Sequence, residues 1–508
     1  MPESCMKKVL AFDLGTGGVK ASLYDEKGQS LAKSFVEYDT FYPKPGWHEQ
    51  RPLDWWDGIV KSTNVLLDES GEDRNSVAAI SLSGHSLVAV PMDQDGNMLL
   101  GQVPIWSDVR AEEEAKEFFT KVDEKKWYMT TGNGFPAPCY SVFKLMWMKK
   151  HQPEVFERIF KILGSKDYIN FKLTGKMYTD YSYASGSGAY DLLAKKMNQE
   201  FLVAAGLPTE IFPEIVASSH VIGNLTAKSA KELNLPIETI VTCGGVDNSC
   251  MALGAAGAKE GSCYASLGSS SWIATNSVKP ILDPKLKPYV FAHIEPDMFT
   301  SAFSIFSGGS SLRWVRENLC RDLDKEEGYN KINEMAKEVP IGSNGVLFNP
   351  SLAGGTSQDK SIHIRGAFIN LSLGNTREDM VRAAMEGITL NLKMSLNNLK
   401  KHVNLSSEIL FCGGGSRSPF WMQMFADVFE MTILKTNVDQ ETASLGAAAI
   451  AFVGLGVWKD YEQIPSLHIV ENKSHPVVEN VNAYHQIFAN FVYINEKMAE
   501  IGEHLGGG

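Results

Sequence analysis

Two segments of this 508-residue chain share one grammar. Val9-Leu10-Ala11-Phe12-Asp13-Leu14-Gly15-Thr16-Gly17-Gly18-Val19-Lys20 reads as an apolar strand, a glycine-rich turn and a second strand. About halfway along, Tyr264-Ala265-Ser266-Leu267-Gly268-Ser269-Ser270-Ser271-Trp272-Ile273 repeats the plan. Small residues with hydroxyls and free backbone N–H groups let an anion approach without Cβ interference. Two such turns imply two half-molecules facing one polyphosphate. An ordinary hairpin turn is the competing reading for each alone.

The opening strands Val9–Asp13, Val19–Tyr24 and Leu31–Val36 form a predicted meander. A dinucleotide-binding opening would instead run strand, glycine turn, helix. Pro52–Leu67 has the spacing of a helix, with Trp55, Trp56, Ile59, Val60 and Leu66 as its apolar stripe. Strands follow at Val77–Ser83 and Leu87–Met92. Residues 110–170 are mostly helical and 172–225 loop-rich. Met251–Ala258 reads as a short helix of small residues. The second half reopens with strands at Gly261–Ser266, Trp272–Thr275 and Met298–Ile305. Thr376 with Asp379, and Ser418 with Pro419, mark two later helix starts. Glu441–Val453 is an Ala/Gly-rich helix suited to close packing on a neighbour. The length calls for two domains, expected at 1–253 and 254–508.

Composition narrows the class. A 44% hydrophobic, 21% charged chain is globular, and a net charge of −12 without a basic run argues against a nucleic-acid surface. No window suits a membrane span. Met1–Lys8 lacks the apolar core of a signal peptide. The seven cysteines (5, 139, 243, 250, 263, 320, 412) show no zinc spacing and read as reduced thiols of a cytoplasmic protein. Gly506-Gly507-Gly508 reads as a flexible tail.

The candidate site residues follow from the chemistry each could do. Asp13, at a strand end beside a phosphate turn formed by Gly15, Thr16 and Gly17, is placed to hold magnesium. Gly268 and Ser269 are their counterparts in the second turn. The run Phe411-Cys412-Gly413-Gly414-Gly415-Ser416-Arg417-Ser418-Pro419 brings a strand through three glycines into a capped helix. Bare backbone at Gly414 and Gly415, with Ser418 beyond, would let adenine or ribose lie flat. A tight strand–helix connection is the alternative. In Gly244-Gly245-Val246-Asp247-Asn248, a carboxylate at a buried strand end is costly unless paired or functional. Asp247 could accept a hydroxyl proton during phosphoryl transfer, and Asn248 could bond a sugar. Helix capping is an equal reading for Asp247 alone. Ser83-Gly84-His85-Ser86 and Ile105-Trp106-Ser107-Asp108-Val109-Arg110 are polar clusters at apolar strand ends. Together, Gly84, His85, Trp106 and Asp108 suit a polyhydroxylated ligand, with Tyr140 and Lys144 as weaker additions.

Taken in order, these motifs resemble the FGGY carbohydrate kinases, in their xylulose kinase-like branch. The resemblance spans about residues 7 to 455. It runs from Asp13–Thr16 through Ser83–His85, Ile105–Arg110, Gly244–Asn248 and Ser266–Ser270. It continues at Asn349–Gly355, Ile364–Phe368 and Gly413–Trp421. It implies an α/β fold of two ribonuclease H-like (actin-like ATPase) domains around a central cleft. The sugar side and first phosphate turn would lie in the N-terminal domain, the second turn and adenosine segment in the C-terminal one.

By the same resemblance Asp247 is the catalytic base and Asp13 the magnesium-associated acid. Gly15, Thr16, Gly268 and Ser269 match phosphate turns, Gly414, Gly415 and Ser418 the adenosine segment. His85, Trp106, Asp108 and Asn248 match the sugar side. The implied reaction is ATP-dependent phosphorylation of a ketopentose such as D-xylulose to its 5-phosphate. Another ketose, an aldonate or a polyol is the alternative substrate, and an actin- or Hsp70-like ATPase without a sugar is the rival from another class. The expected partners are the sugar and ATP, with Mg2+ as cofactor, neither nucleic acid nor membrane, and a homodimer as the assembly allowed for. Two departures fall near the sugar. Ser83-Gly84-His85-Ser86-Leu87-Val88 replaces an SGQMHG-like segment, and Gly354-Gly355-Thr356-Ser357-Gln358-Asp359 replaces an Arg-containing loop.

Overall fold

The computed structural model describes residues 7–323 and 327–506. Cys5 and the last two glycines lie outside them. The other six cysteines are free thiols, all buried. Gly506 closes the helix Val478–Gly506 rather than a flexible tail, because it packs against His363.

Two seven-stranded sheets carry the molecule, and they share one topology. In the first, the antiparallel meander Lys8–Leu14, Gly18–Tyr24 and Ser30–Glu37 forms as expected. Its first strand pairs in parallel with Val77–Gly84, which pairs in parallel with Ile240–Thr242. Val221–Asn224 then adds an antiparallel edge. In the second sheet Cys263–Leu267 leads into Ser271–Ser277 and Phe299–Ile305. It pairs in parallel with Glu408–Cys412, and that strand with Thr432–Thr436. Val470–Ser474 is the antiparallel edge. Tyr289–Ala292 extends the sheet beyond Phe299–Ile305, a strand not anticipated from sequence.

Each sheet buries a long helix that crosses between its meander and its parallel strands. In the first half it is Pro52–Ser70, with Trp55, Trp56, Ile59 and Leu66 inward as the periodicity required. In the second it is Arg377–Lys400, opened by Asp379 accepting the Thr376 N–H at 2.9 Å. The expected strand Leu87–Met92 shortens to Val90–Met92. Leu87 has φ of 63°, which breaks extended pairing, and its carbonyl accepts from the Lys144 ammonium instead.

The halves are joined by two helices that each serve the opposite sheet. Asp247–Ala256 leaves the first sheet and places Ala252 and Ala255 against Tyr264, Ala274 and Leu410 of the second. Thr442–Gly454 leaves the second and places Ala447, Ile450 and Ala451 against Val9, Ala11 and Ala79 of the first. The two helices cross at glycines. A Cβ on Gly254 would stand 1.8 Å from the Thr442 carbonyl oxygen, and one on Gly446 2.0 Å from that of Cys250. The small-residue composition of the second helix is therefore the condition of its close crossing. The limit expected at 253/254 falls inside the first of these helices.

Candidate active site

The parallel strands of the first sheet end on one rung. Leu14 is opposite Gly84, and Gly84 opposite Val246. The next residues, Gly15, His85 and Asp247, therefore leave the sheet side by side. Ligand sites in open α/β sheets form at this carboxyl edge. In the second sheet Ser266 is opposite Cys412, so Gly268 and Gly413 also emerge close together.

Asp13 lies one residue back, with its Oδ1 accepting the Ser83 hydroxyl at 3.0 Å. Burial raises its pKa, while Lys20, its cross-strand neighbour, and the Ser83 bond oppose the rise. The turn itself is closed by Gly15 N–H donating to the Gly18 carbonyl at 3.0 Å. Gly17 has open space where a Cβ would stand. Tyr38, not singled out in the sequence, donates its hydroxyl to the Gly15 carbonyl. Gln50 donates to the Thr16 carbonyl at 2.6 Å.

Asp247 is the first residue of its helix, with Val246 as the cap. Gly244 makes the approach possible. Its φ is 73°, and a Cβ there would lie 2.2 Å from the Leu82 carbonyl oxygen. The Asp247 carboxylate accepts the Asn248 N–H at 2.8 Å. Burial lifts its pKa to about 7, and the negative charge of Asp13 adds to the rise. The Val246 N–H is held by Ser182 at 2.9 Å, and Ser182 by Asp180. Asp180 pairs with the fully buried Lys166 at 3.0 Å. A buried ionic network thus fixes the backbone that presents Asp247.

Among the residues expected beside a sugar, Trp106 is 36% exposed and donates its indole N–H to Thr16 Oγ1 at 2.9 Å. It therefore joins the Ile105–Arg110 segment to the first turn. Phe135 meets it edge-on, and Phe135 stacks on Tyr289 of the other half at 4.0 Å. His85 is 1% exposed. Its backbone N–H and ring Nδ1 both reach the Leu14 carbonyl, so Nδ1 carries the proton and Nε2 is an acceptor. Nε2 has no partner among the described residues. Burial lowers the ring pKa to about 4, leaving it neutral.

Other expected residues are not brought to the cleft. Asp108 is fully buried, accepting the His48 N–H at 2.7 Å and the Arg110 guanidinium at 2.7 and 2.9 Å. Arg110 also pairs with Glu49 and lies over Trp47. This pair braces the loop that carries Trp106. Tyr140 is buried, and its hydroxyl accepts the Phe135 N–H at 2.9 Å. Gly84 has no room for a side chain, with Lys166 Cβ 2.7 Å from the position a Cβ would take. Lys144, also buried, donates to the Leu87 and Ile105 carbonyls at 2.9 and 2.6 Å. It ties together the segments that carry His85 and Trp106.

The second turn has a backing that sequence reasoning missed. Gly309 N–H donates to the Gly268 carbonyl at 2.9 Å, and Ser310 N–H to that of Ser269 at 3.0 Å. A Cβ on Gly309 would lie 2.4 Å from the Gly268 oxygen. The doublet Gly308-Gly309 after an apolar strand was the available signal. Arg313 donates to Ser269 Oγ at 2.8 Å, which brings a cation to this turn. In the third glycine segment Gly413 has φ of 90° and donates to Asp439 at 2.8 Å. Gly414 faces open space, whereas Gly415 packs on Leu267 and Trp421. Ser418 caps the helix Pro419–Phe429 as expected, and its hydroxyl donates to Asn333 at 2.8 Å.

Two family models cover most of the chain. Residues 8–254 match the N-terminal domain of the FGGY family of carbohydrate kinases, and residues 263–455 its C-terminal domain. A xylulose kinase of Lactococcus lactis is 31% identical over 508 residues, spanning 98% of this chain and 99% of that protein. Two crystal structures from Lactobacillus acidophilus, a gluconate kinase and a ligand-bound xylulose kinase, each superpose with a TM-score of 0.90 at 26% identity. Each covers 97% of this chain, with 98% and 99% of the respective structures matched. Equal likeness to kinases of two different substrates fixes the reaction class and not the sugar. The two-sheet fold, the paired glycine turns and these matches show that the chain belongs to the FGGY family of carbohydrate kinases, enzymes that phosphorylate a sugar at the expense of ATP.

Proposed function

We propose that the protein transfers the terminal phosphoryl group of ATP to the end hydroxyl of a ketopentose, with D-xylulose as the leading substrate and its 5-phosphate as product. The observation that carries this reading is the Asp247 carboxylate. It leaves the sheet beside Gly15 and His85, accepts only local backbone N–H groups among the described residues, and has its pKa lifted to about 7. A general base works best when its pKa is near the operating pH. In the reaction Asp247 takes the hydroxyl proton as the sugar oxygen bonds to the γ-phosphorus. The bond from that phosphorus to the bridging oxygen breaks, and ADP leaves.

The remaining roles follow from placement. The Gly15–Gly17 and Gly268–Ser269 turns cradle the phosphates, and Gly414 offers open backbone to the adenosine. Ser418 and Gly415 hold that segment in shape. Among the described residues, no group of three or more His, Cys, Asp or Glu side chains forms a metal cluster. Magnesium needs fewer, because it keeps several waters and takes one or two carboxylates plus substrate phosphates. Asp13, whose Oδ1 accepts from Ser83 while Oδ2 meets no hydrogen-bond donor among the described residues, fits that use. A bound magnesium ion would supply charge neutralisation on the phosphates. The halves are taken as 1–253 for the sugar and first turn, and 254–508 for the second turn and adenosine.

Neutral substrates are favoured over aldonates. Lys144 and Lys166, buried on the sugar side, and Arg110 beside them all face protein carbonyls or carboxylates. None is left to meet a substrate carboxylate. Asn248 supplies a polar group for a sugar hydroxyl and Trp106 an apolar face, while His85, bonded through Nδ1 to the Leu14 carbonyl, holds the edge of the first turn. Asp108 then acts by bracing the Trp106 loop. An ATP-consumption assay over ketoses, aldonates and polyols tests the reading. Highest kcat/KM on a ketopentose is expected, and preference for gluconate would overturn the neutral assignment. Asp247→Asn should lower kcat by about 10^3-fold or more with ATP binding retained. Near-normal turnover would remove Asp247 as the base.

A further inference from the structure

Besides exchanging helices, the halves meet beside Trp106. Residues 132–135 of the first half lie along residues 287–290 of the second. The Val290 N–H donates to the Gly132 carbonyl at 2.9 Å, and the Tyr128 hydroxyl to the Pro288 carbonyl at 3.1 Å. The approach depends on glycine, since a Cβ on Gly134 would stand 2.1 Å from the Lys287 carbonyl oxygen. Phe135 follows directly. Its ring stacks on that of Tyr289, with centroids 4.0 Å apart and planes 12° from parallel.

Tyr289 is buried in a small cluster with Phe291 of its own half and with Tyr183, Val246 and Phe135 of the other. Each first-half member leads to a residue of the site. Val246 precedes Asp247 and caps its helix. Tyr183 donates its hydroxyl to the His85 carbonyl at 2.9 Å. Phe135 meets Trp106 edge-on, with centroids 6.4 Å apart and planes at 64°. Val246 and Tyr183 have polar anchors besides the cluster, through Ser182 and the Ser165 N–H. The Trp106 side chain has one hydrogen bond among the described residues, from its indole N–H to Thr16. A single hydrogen bond fixes a point of a ring and leaves its plane free to swing. The edge contact with Phe135 is what sets the plane, because aromatic rings favour stacked and edge-on geometries. The Phe135 backbone is held by the Tyr140 hydroxyl, but its half-buried ring is held by Tyr289.

We propose that Tyr289, from the second half, is a positioning residue for the sugar, acting through Phe135 to hold the face of Trp106. The inference rests on the reading of Trp106 as the apolar face of the sugar site. The second half then completes a pocket whose other groups come from the first. Affinity for the sugar is tied to the joint at residues 132–135 and 287–290. The glycine turns lie outside that joint, and the backbone before Asp247 keeps its own bond to Ser182. Loss of the stack should therefore fall on sugar binding and not on ATP or on the chemical step.

Steady-state kinetics on the full chain test this, with the sugar that gives the highest kcat/KM in the ATP-consumption panel. Tyr289→Leu removes the stack and should raise the sugar KM about fivefold or more, with kcat and the KM for ATP within about twofold. Tyr289→Phe keeps the ring and loses only the hydroxyl that accepts from Ser304. It should return the sugar KM to within about twofold of the wild type. Phe135→Leu, at a half-buried position, should give the same rise and carries the test if Tyr289→Leu does not fold. The double variant should be little worse than either single one. Trp106→Ala separates two kinds of failure. A sugar KM unchanged in all of these variants would overturn the placement of the sugar on Trp106 and this inference with it. A rise in Trp106→Ala but in neither Tyr289→Leu nor Phe135→Leu would overturn the positioning role alone. So would additive effects in the double variant, no rescue by Tyr289→Phe, or a loss of kcat with both KM values raised together, which would assign Tyr289 to the fold.

Discussion

A carboxyl group whose pKa sits near 7 makes its own pH signature. Folding lifts Asp247 above the ordinary carboxylate value, chiefly through burial and then through Asp13. Below about pH 7 the free enzyme holds this group protonated, so log kcat/KM should rise with unit slope towards pH 7 and flatten above it. Stability runs the other way. The folded state binds the proton more tightly than the unfolded chain, so the group's favourable contribution is full at low pH and is lost as pH rises through about 7. Asp247→Asn removes the buried charge. It should melt about 2 °C or more above the wild type at pH 8, with the gap narrowing towards pH 5 and closing only below about pH 4, where the unfolded chain is protonated as well. A gap that is unchanged or inverted would mean the carboxylate is not strained by its site. Lys144 makes the complementary case, a residue that acts by holding others. Lys144→Met leaves the Leu87 and Ile105 carbonyls without their donor. The sugar KM should rise about tenfold while the KM for ATP stays within about twofold, since only the segments bearing His85 and Trp106 are released.

At the scale of elements, the signals that held were local. The meander, the Trp55–Leu66 stripe, the Thr376 and Ser418 helix starts and the small-residue helix all follow from residues within one turn or one hairpin of each other. What sequence could not supply were partners distant in the chain. Asp108 faces Arg110 and His48 inside the protein because the turn after Ile105 folds back, and nothing in a polar cluster at a strand end separates a ligand contact from a bracing ion pair. Gly308-Gly309 supports the second glycine turn from about forty residues away. The Tyr289–Ala292 strand rests on pairing with Phe299–Ile305, across a turn with no glycine doublet to announce it. The helix crossing gives the sharpest test of an element's composition. Gly446 meets backbone, which cannot step aside, at 2.0 Å from where a Cβ would stand. Gly446→Ala improves helix propensity by about 1 kcal/mol, yet overpacking should cost about 1–3 kcal/mol or more. The variant should melt below the wild type in calorimetry. A higher melting temperature would show that the crossing has slack.

The whole molecule is two copies of one plan whose connecting helices are exchanged. The inner face of the first sheet, at Val9, Ala11 and Ala79, is covered by Ala447, Ile450 and Ala451 from the far end of the chain. The second sheet is covered in return by Ala252 and Ala255. Neither half can bury its sheet by itself, so the two should unfold together despite a length at which separate domains are usual. That arrangement also suits the chemistry, since each turn is anchored to a sheet whose covering helix belongs to the other side. Ile450→Ala separates this account from one of independent domains. The side chain is fully buried, and its loss should cost about 2–5 kcal/mol. With coupled halves, hydrogen exchange should accelerate in Lys8–Leu14 as well as in Cys263–Leu267, and calorimetry should keep one transition at lower temperature. With independent halves only one set of strands would lose protection, and the transition would split. The exchanged helices favour the first outcome, because the wound is made in one half and the core that opens belongs to the other.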